Sequence, residues 1–281
     1  MKNLKPYKDD CFDIHKRAVN KKQAGDLKER LTKLNPNVEA EYKIFLEQFT
    51  ANQLGQIKPN TELGLSKADL LTLYSYQSSV IISVRESIRK LQIKTIITTC
   101  QNCTIDTANT LDHLLPKTSY PEFVVNPKNL FPCCSTCNSY KLDSTESKAG
   151  QKFLNLYLDD LPKEQYLFVN VFLDTNNDLD FRFHLKNIDN KIEVTIFSII
   201  ESHYEKLHLF DRMKLKSIEY VSELESRILA FRHRLSIDEI VIHLTTAVND
   251  EKEAYGHNHW KCILELALLN SPAFMDKFKP T

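Results

Sequence analysis

The chain has 281 residues, 42% hydrophobic and 26% charged, and its 37 Lys/Arg balance its 37 Asp/Glu. That composition is that of an ordinary folded globule with one large or two smaller domains, and a net charge of zero argues against a histone-like or coating protein, which would be basic. No apolar run reaches the about 18 residues that a membrane span needs, and the opening MKNLKPYKDDCFDIHKR lacks the apolar core of a secretory signal, so the expected location is the cytoplasm.

Residues 1–33 hold ten Lys/Arg against five Asp/Glu, a local excess of +5. This is read first as a solvated helix face and second as a phosphate contact. Segments 24–34 and 38–54 have helical patterning, and Asn35-Pro36-Asn37 is expected to break them apart. After a linker at 55–65 containing Gly55, Pro59 and Gly64, Ser66 reads as a helix start. Leu70, Tyr74, Gln77, Ile81, Val84, Ile88 and Leu91, with only Gln77 polar, then follow a three-to-four spacing that predicts one long amphipathic helix. Residues 143–150 are polar and loop-like. Segments 165–173 and 179–186 alternate as strands, and Thr175-Asn176-Asn177-Asp178 between them predicts a hairpin. Residues 192–200 suit either a third strand or a helix start. Beyond them 205–233 is helical, Ser236 with Glu239 spells a capping box, Gly256 stops that helix, and 259–269 is a last apolar helix. The rings of Phe153, Tyr157, Tyr166, Phe168, Phe172, Phe181 and Phe183 are expected in core and hairpin packing before base stacking.

Five of the seven cysteines fall between 100 and 137. Cys100-x2-Cys103 and Cys134-x2-Cys137 form two knuckles with thirty residues between them. Two residues between cysteines let both sulfurs reach one ion from a tight turn, and a second knuckle completes the tetrahedron zinc prefers. Four thiolates leave no open coordination position, so the expected zinc is structural. Cys133 competes with Cys134, which is preferred because only it gives the two-residue spacing to Cys137. Cys11 and Cys262 read as buried thiols remote from the cluster.

Between the knuckles stand Asp112-His113 followed by Pro116, then Asn129-Leu130, then Asn138 and Lys141 after the last cysteine. The pattern D-H-x-x-P, N-L, C-x2-C-N-x2-K over residues 100–141 resembles the HNH endonuclease family with a four-cysteine zinc. That resemblance implies a ββα-metal unit: two strands and a helix around one catalytic cation. It implies His113 as general base, Asp112 and Asn138 as cation ligands, and Asn129 as the residue orienting the His113 ring. Hard oxygen ligands suit Mg²⁺ or Mn²⁺. Asn138 stands where the family name has its last histidine, which keeps an oxygen donor. Lys141, with Lys117 beside the site, is the expected phosphate contact. His257-Asn258-His259 spells the family name but reads as an interhelical turn.

The layout as a whole also resembles the small HNH nuclease subunits of bacterial Septu-like anti-phage defence systems. This implies a DNA substrate and a co-encoded ATPase subunit as partner. The alternatives from other classes are an RNA-cleaving HNH toxin and a catalytically silent zinc-finger module that binds nucleic acid. The expected fold is α+β: a mostly helical chain with an embedded zinc-stapled ββα-metal unit and a short β-hairpin after it. The expected divisions are a helical region at 1–95, the nuclease core at 96–150, and a hairpin-plus-helical region at 151–281.

Overall fold

A computed structural model describes residues 1–141, 146–147, 150–151 and 153–279. The chain divides into two compact units: one of residues 3–102 and 106–160, the other of 161–281 together with 1–2 and 103–105. The fold is α+β, mostly helical with small two-stranded sheets.

The first unit begins with α1 (Cys11–Asn20), whose N-terminus Asp10 caps by accepting from Phe12 N at 2.9 Å. Helix α2 (Asp26–Thr50) is continuous through Pro36, where the sequence predicts a break. An interior proline removes one ladder hydrogen bond and costs about 3 kcal/mol. The cost is outweighed because Leu31, Val38, Tyr42, Phe45 and Phe49 form one buried face running past Pro36 on both sides. Asn35 is also held from outside the helix, accepting from His15 Nε2 at 3.2 Å.

The predicted long helix from Ser66 to Leu91 is two helices and a turn. After α3 (Thr61–Leu65), α4 (Lys67–Leu71) ends early, and α5 runs Ser79–Lys90. Ser78 accepts from Ile81 N and starts the new helix, while Ser78 N donates to Ser75 O at 2.9 Å in the turn before it. Local serine bonding wins over apolar periodicity here. Short α6 (Lys94–Ile97) then leads to the first cysteine knuckle.

Strand β1 (Thr110–His113) pairs antiparallel with β2 (Leu130–Cys133), placing Thr110 opposite Cys133, Asp112 opposite Phe131 and His113 opposite Leu130. Helix α7 (Ser135–Lys141) packs against β1 and completes a ββα arrangement. Its first turn is fastened by Asn109 Oδ1, which accepts from Ser135 N at 2.9 Å. Of the segment 143–150, expected as a loop, residues 143–145 and 148–149 lie outside the described residues. Two-residue strands β3 (Glu146–Ser147) and β4 (Gly150–Gln151) pair antiparallel.

The second unit holds the hairpin of β5 (Leu167–Leu173) and β6 (Leu179–Leu185), in the expected place. Asp174 Oδ1 accepts from Asn176 N and Asp178 N to make its turn, and Asn177 takes the left-handed conformation there, φ +67°. Residues 192–200 resolve as helix: Glu193 caps α8 (Val194–Lys206) by accepting from Ile196 N. Helices α9 (Leu209–Phe231), α10 (Ile237–Tyr255), α11 (Trp260–Leu269) and α12 (Pro272–Met275) follow. The Ser236–Glu239 capping box is formed. Gly256 ends α10 at φ +107°, where a Cβ would meet Met1 O at 2.5 Å. Helix α11 packs on β5 and α9 on β6. The rings of Tyr166, Phe181 and Phe183 are buried in this unit, those of Phe153 and Tyr157 in the first. Asn258 is buried, accepts from the backbone of Tyr166 and Leu167, and donates to Glu164 O, so the His257–His259 string holds the edge of the hairpin.

Candidate functional site

The knuckle ahead of β1 is built by backbone bonds. Cys100 N donates to Asp106 O at 2.8 Å, and Thr99 bridges Thr107 in antiparallel fashion, closing the loop that carries Cys100 and Cys103. The second knuckle is the junction of β2 and α7. There Cys137 N donates to Cys134 Sγ at 3.3 Å, and Ile105 N donates to Cys103 Sγ at 3.4 Å in the first. Amide donation to sulfur stabilises thiolate character. The Sγ atoms of Cys100, Cys103, Cys134 and Cys137 all lie within 4.8 Å of one another, and all four residues are buried. Zinc bonds to sulfur of about 2.3 Å in a tetrahedron put sulfurs slightly under 4 Å apart, so the cluster fits one zinc. Cys133, on β2 opposite Thr110, stands outside the cluster. Of the two remote cysteines, Cys262 is buried and Cys11 only half-buried.

Asp112 is buried on β1, with Lys141 Nζ against its Oδ2. Burial raises the Asp112 carboxyl above the usual carboxylate range, and the Lys141 ammonium opposes that rise. Lys141 Nζ also donates to His113 O at 3.2 Å. The side chain expected to reach a phosphate is thus itself buried and turned inward on the site. Asn138 lies three residues before Lys141, on the same face of α7, and is half-buried. Of the two, it is Lys141 whose side chain meets Asp112.

The His113 ring donates from Nε2 to Val124 O at 3.0 Å and meets the Tyr74 ring edge-on, centroids 4.9 Å apart. Since a carbonyl only accepts, the neutral ring carries its proton on Nε2 and leaves the Nδ1 lone pair open. Burial lowers its pKa to about 4; the bond to Val124 works against that, and the Lys117 and Lys141 charges add to it. Sequence expectation gives the ring-orienting task to Asn129, but the structure gives that bond to Val124. Asn129 is fully buried and its side chain is consumed by backbone: Oδ1 accepts from Leu115 N at 2.7 Å, and Nδ2 donates to Leu115 O and Phe123 O. Asn129 O also accepts from Leu114 N at 2.8 Å. Asn129 thus holds the chain at 114–115 and 123, and among the described residues it makes no hydrogen bond to the His113 ring. Lys117 is exposed, its Nζ 5.9 Å from the centre of the Tyr74 ring.

The part played by Val124 has no side-chain signal in the sequence, because the acting group is a carbonyl. Tyr74 was legible only as one residue of an apolar stripe. Beside Lys141 a small cavity of about 130 Å³ opens, lined by Leu114, Leu115, Tyr120 and Asn155 among others.

No family model and no solved structure matches the chain. Over 171 residues, 59% of its length, it is 28% identical to the Septu protein PtuB of Bacillus thuringiensis. The chain spans 60% of the length of that protein. Among the described residues no helix is long and apolar enough to cross a membrane.

Proposed function

We propose that the chain is a metal-dependent endonuclease of the HNH type that hydrolyses DNA phosphodiester bonds in anti-phage defence, its reacting unit being residues 96–150. The observation that carries this reading is the His113 ring. It is neutral, fixed by its Nε2 donation to Val124 O, and next in chain to a buried carboxylate on a ββα unit with a four-cysteine cluster. In the reaction His113 Nδ1 would accept a proton from water as the water oxygen bonds to phosphorus, and the 3′ oxygen would leave with the electron pair of its broken bond to phosphorus and take a proton from solvent water. Asp112 and Asn138 would hold a Mg²⁺ or Mn²⁺ ion, which supplies charge neutralisation at the phosphate. Asn129 keeps residues 114–115 and 123 in place around the ring.

The defence role is supported by the likeness to the Septu protein, and the co-encoded ATPase is proposed as partner on the resemblance set out above. One observation favours a second reading, a zinc-stapled binding module without catalysis: the Lys141 ammonium already occupies an Asp112 oxygen that a cation would use. The test is a plasmid-nicking assay with Mg²⁺ or Mn²⁺, run beside an RNA substrate and with and without the ATPase. Nicking by the wild type that is lost in His113→Ala, with zinc content unchanged, supports the nuclease. Cleavage confined to RNA supports the toxin alternative. No cleavage under any arm, with tight nucleic-acid binding, supports the binding module.

A further inference from the structure

Tyr76 lines a groove of about 300 Å³, large enough for one nucleotide. Helix α5 forms one wall with Ile82, Arg85, Glu86 and Arg89; Leu111 and Pro132, paired across β1 and β2, form the apolar floor. Arg85 and Arg89 are four apart and so share a helix face. Neither arginine has an ion-pair partner among the described residues, and with Glu86 the wall carries a net +1. The Arg85 guanidinium lies 4.0 Å from the centre of the Tyr76 ring and donates weakly to Tyr76 O at 3.4 Å. Tyr76 is itself fixed by donating from its hydroxyl to Asn109 O at 2.6 Å. The result is a flat, cationic, preorganised platform, the chemistry that suits a phosphate with an adjoining planar base.

The groove and the histidine share a strand and a loop. Leu111 on the floor and His113 are two apart on β1, so they face the same side of it, about 7 Å apart. Tyr76 lines the groove while Tyr74, two residues earlier, rests on the His113 ring. Lys117 Nζ lies 5.9 Å from the centre of that Tyr74 ring. Two arginines line the groove and a lysine stands by the ring that touches His113, a set of cations that suits a polyanion better than a single anion.

Resting on the nuclease reading above, we propose that this groove binds a nucleotide of the substrate strand next to the scissile phosphate, with Arg85 and Arg89 on its phosphate and the Tyr76–Arg85 stack beside its base. The full chain is tested by fluorescence anisotropy with a labelled single-stranded DNA oligonucleotide, without added divalent cation, across a salt series. A free mononucleotide is used as competitor in a second arm. Arg85→Ala/Arg89→Ala is expected to weaken oligonucleotide binding about 10- to 100-fold and to flatten the log–log salt dependence by about 1 to 2. Arg89→Ala, an exposed change that leaves the Tyr76 stack in place, shows the smaller part of both effects with an unchanged melting temperature. Wild-type affinity and salt slope in both variants overturn the proposal, as does an effect seen with the mononucleotide and absent with the oligonucleotide. If the wild type binds through these arginines but cleaves nothing, the groove stands and the nuclease reading falls. If His113-dependent cleavage persists at wild-type KM in the double variant, the groove alone falls.

Discussion

Four like ligands, all buried, converge at Cys100, Cys103, Cys134 and Cys137. On the same ββα unit, unlike groups meet at Asp112, His113 and Lys141: a carboxylate, an imidazole and an ammonium, beside a small open cavity. The sulfur cluster has every ligand a tetrahedral ion accepts and no position left for a substrate. The second site is held together partly by its own ion pair, and its imidazole keeps one nitrogen uncommitted. A closed site of identical soft donors stabilises structure. A mixed site with exchangeable partners and a neutral base can do chemistry, and variants that strike one and spare the other separate the two.

The largest effect is expected at the sulfurs. Structural zinc in small modules contributes about 10–16 kcal/mol of apparent binding free energy, which is also folding free energy. Cys100→Ser or Cys137→Ser should release the zinc and unfold the segment around β1, β2 and α7. Metal analysis together with hydrogen exchange across 98–141 measures both. A zinc-free variant with native exchange there would remove the structural role.

The next effect is kinetic. Loss of a general base costs about 10²- to 10⁴-fold in rate. His113→Ala should lower nicking by that factor while zinc content stays at one per chain. His113→Gln, which can still donate to Val124 O but cannot take the proton, should be as inactive and closer to wild type in stability. Activity retained in His113→Gln would assign the ring a structural task only.

Lys141→Met breaks a buried ion pair from one side, and an uncompensated buried charge costs about 3–5 kcal/mol. The raised Asp112 pKa lessens this, because the carboxyl can take up a proton instead. The melting temperature should fall in the absence of divalent cation and recover when Mg²⁺ or Mn²⁺ is added, more than the wild type gains. Equal gains in both proteins would mean that the cation does not meet Asp112.

The two sites also differ in what the sequence discloses. Sulfur ligation at Cys-x2-Cys is a local matter of one tight turn, so spacing alone names the ligands and prefers Cys134 over Cys133. The hairpin and the capping box were legible for the same reason: Asp174 and Ser236 act on backbone within a few residues. The surroundings of His113 are not local. Its partner is a carbonyl eleven residues on, and Asn129 serves backbone where the family resemblance assigns it the ring. The sequence reading sends Lys141 to a phosphate because nothing in its own helix shows that Asp112 lies against it. The helix boundaries failed in two opposite ways. At Pro36 a continuous buried face overrides a breaker, and at Ser78 a capping serine interrupts a periodic stripe.

The smallest expected effect comes from Glu122, which reaches the imidazole site without touching it. Glu122 is fully buried, neither carboxyl oxygen has a hydrogen-bond partner among the described residues, and burial pushes its pKa up to about 7. It immediately precedes Phe123 and Val124, whose carbonyls hold Asn129 and His113. Between its unfolded value of 4.5 and about 7 the unfolded chain has released this proton and the folded chain has not. The contribution to stability is therefore full below pH 4.5, declines as pH rises, and is lost above about 7, a change of about 3 kcal/mol. Glu122→Gln, neutral at every pH, should gain on the wild type through that window and hold a constant lead above it in urea unfolding series. Hydrogen exchange at pH 8 should show the amides of 121–126 better protected in the variant and those of 134–138 unchanged, since the sulfur cluster does not depend on that carboxyl. A stability difference that does not vary between pH 4.5 and 7 would mean that Glu122 is already ionised in the fold.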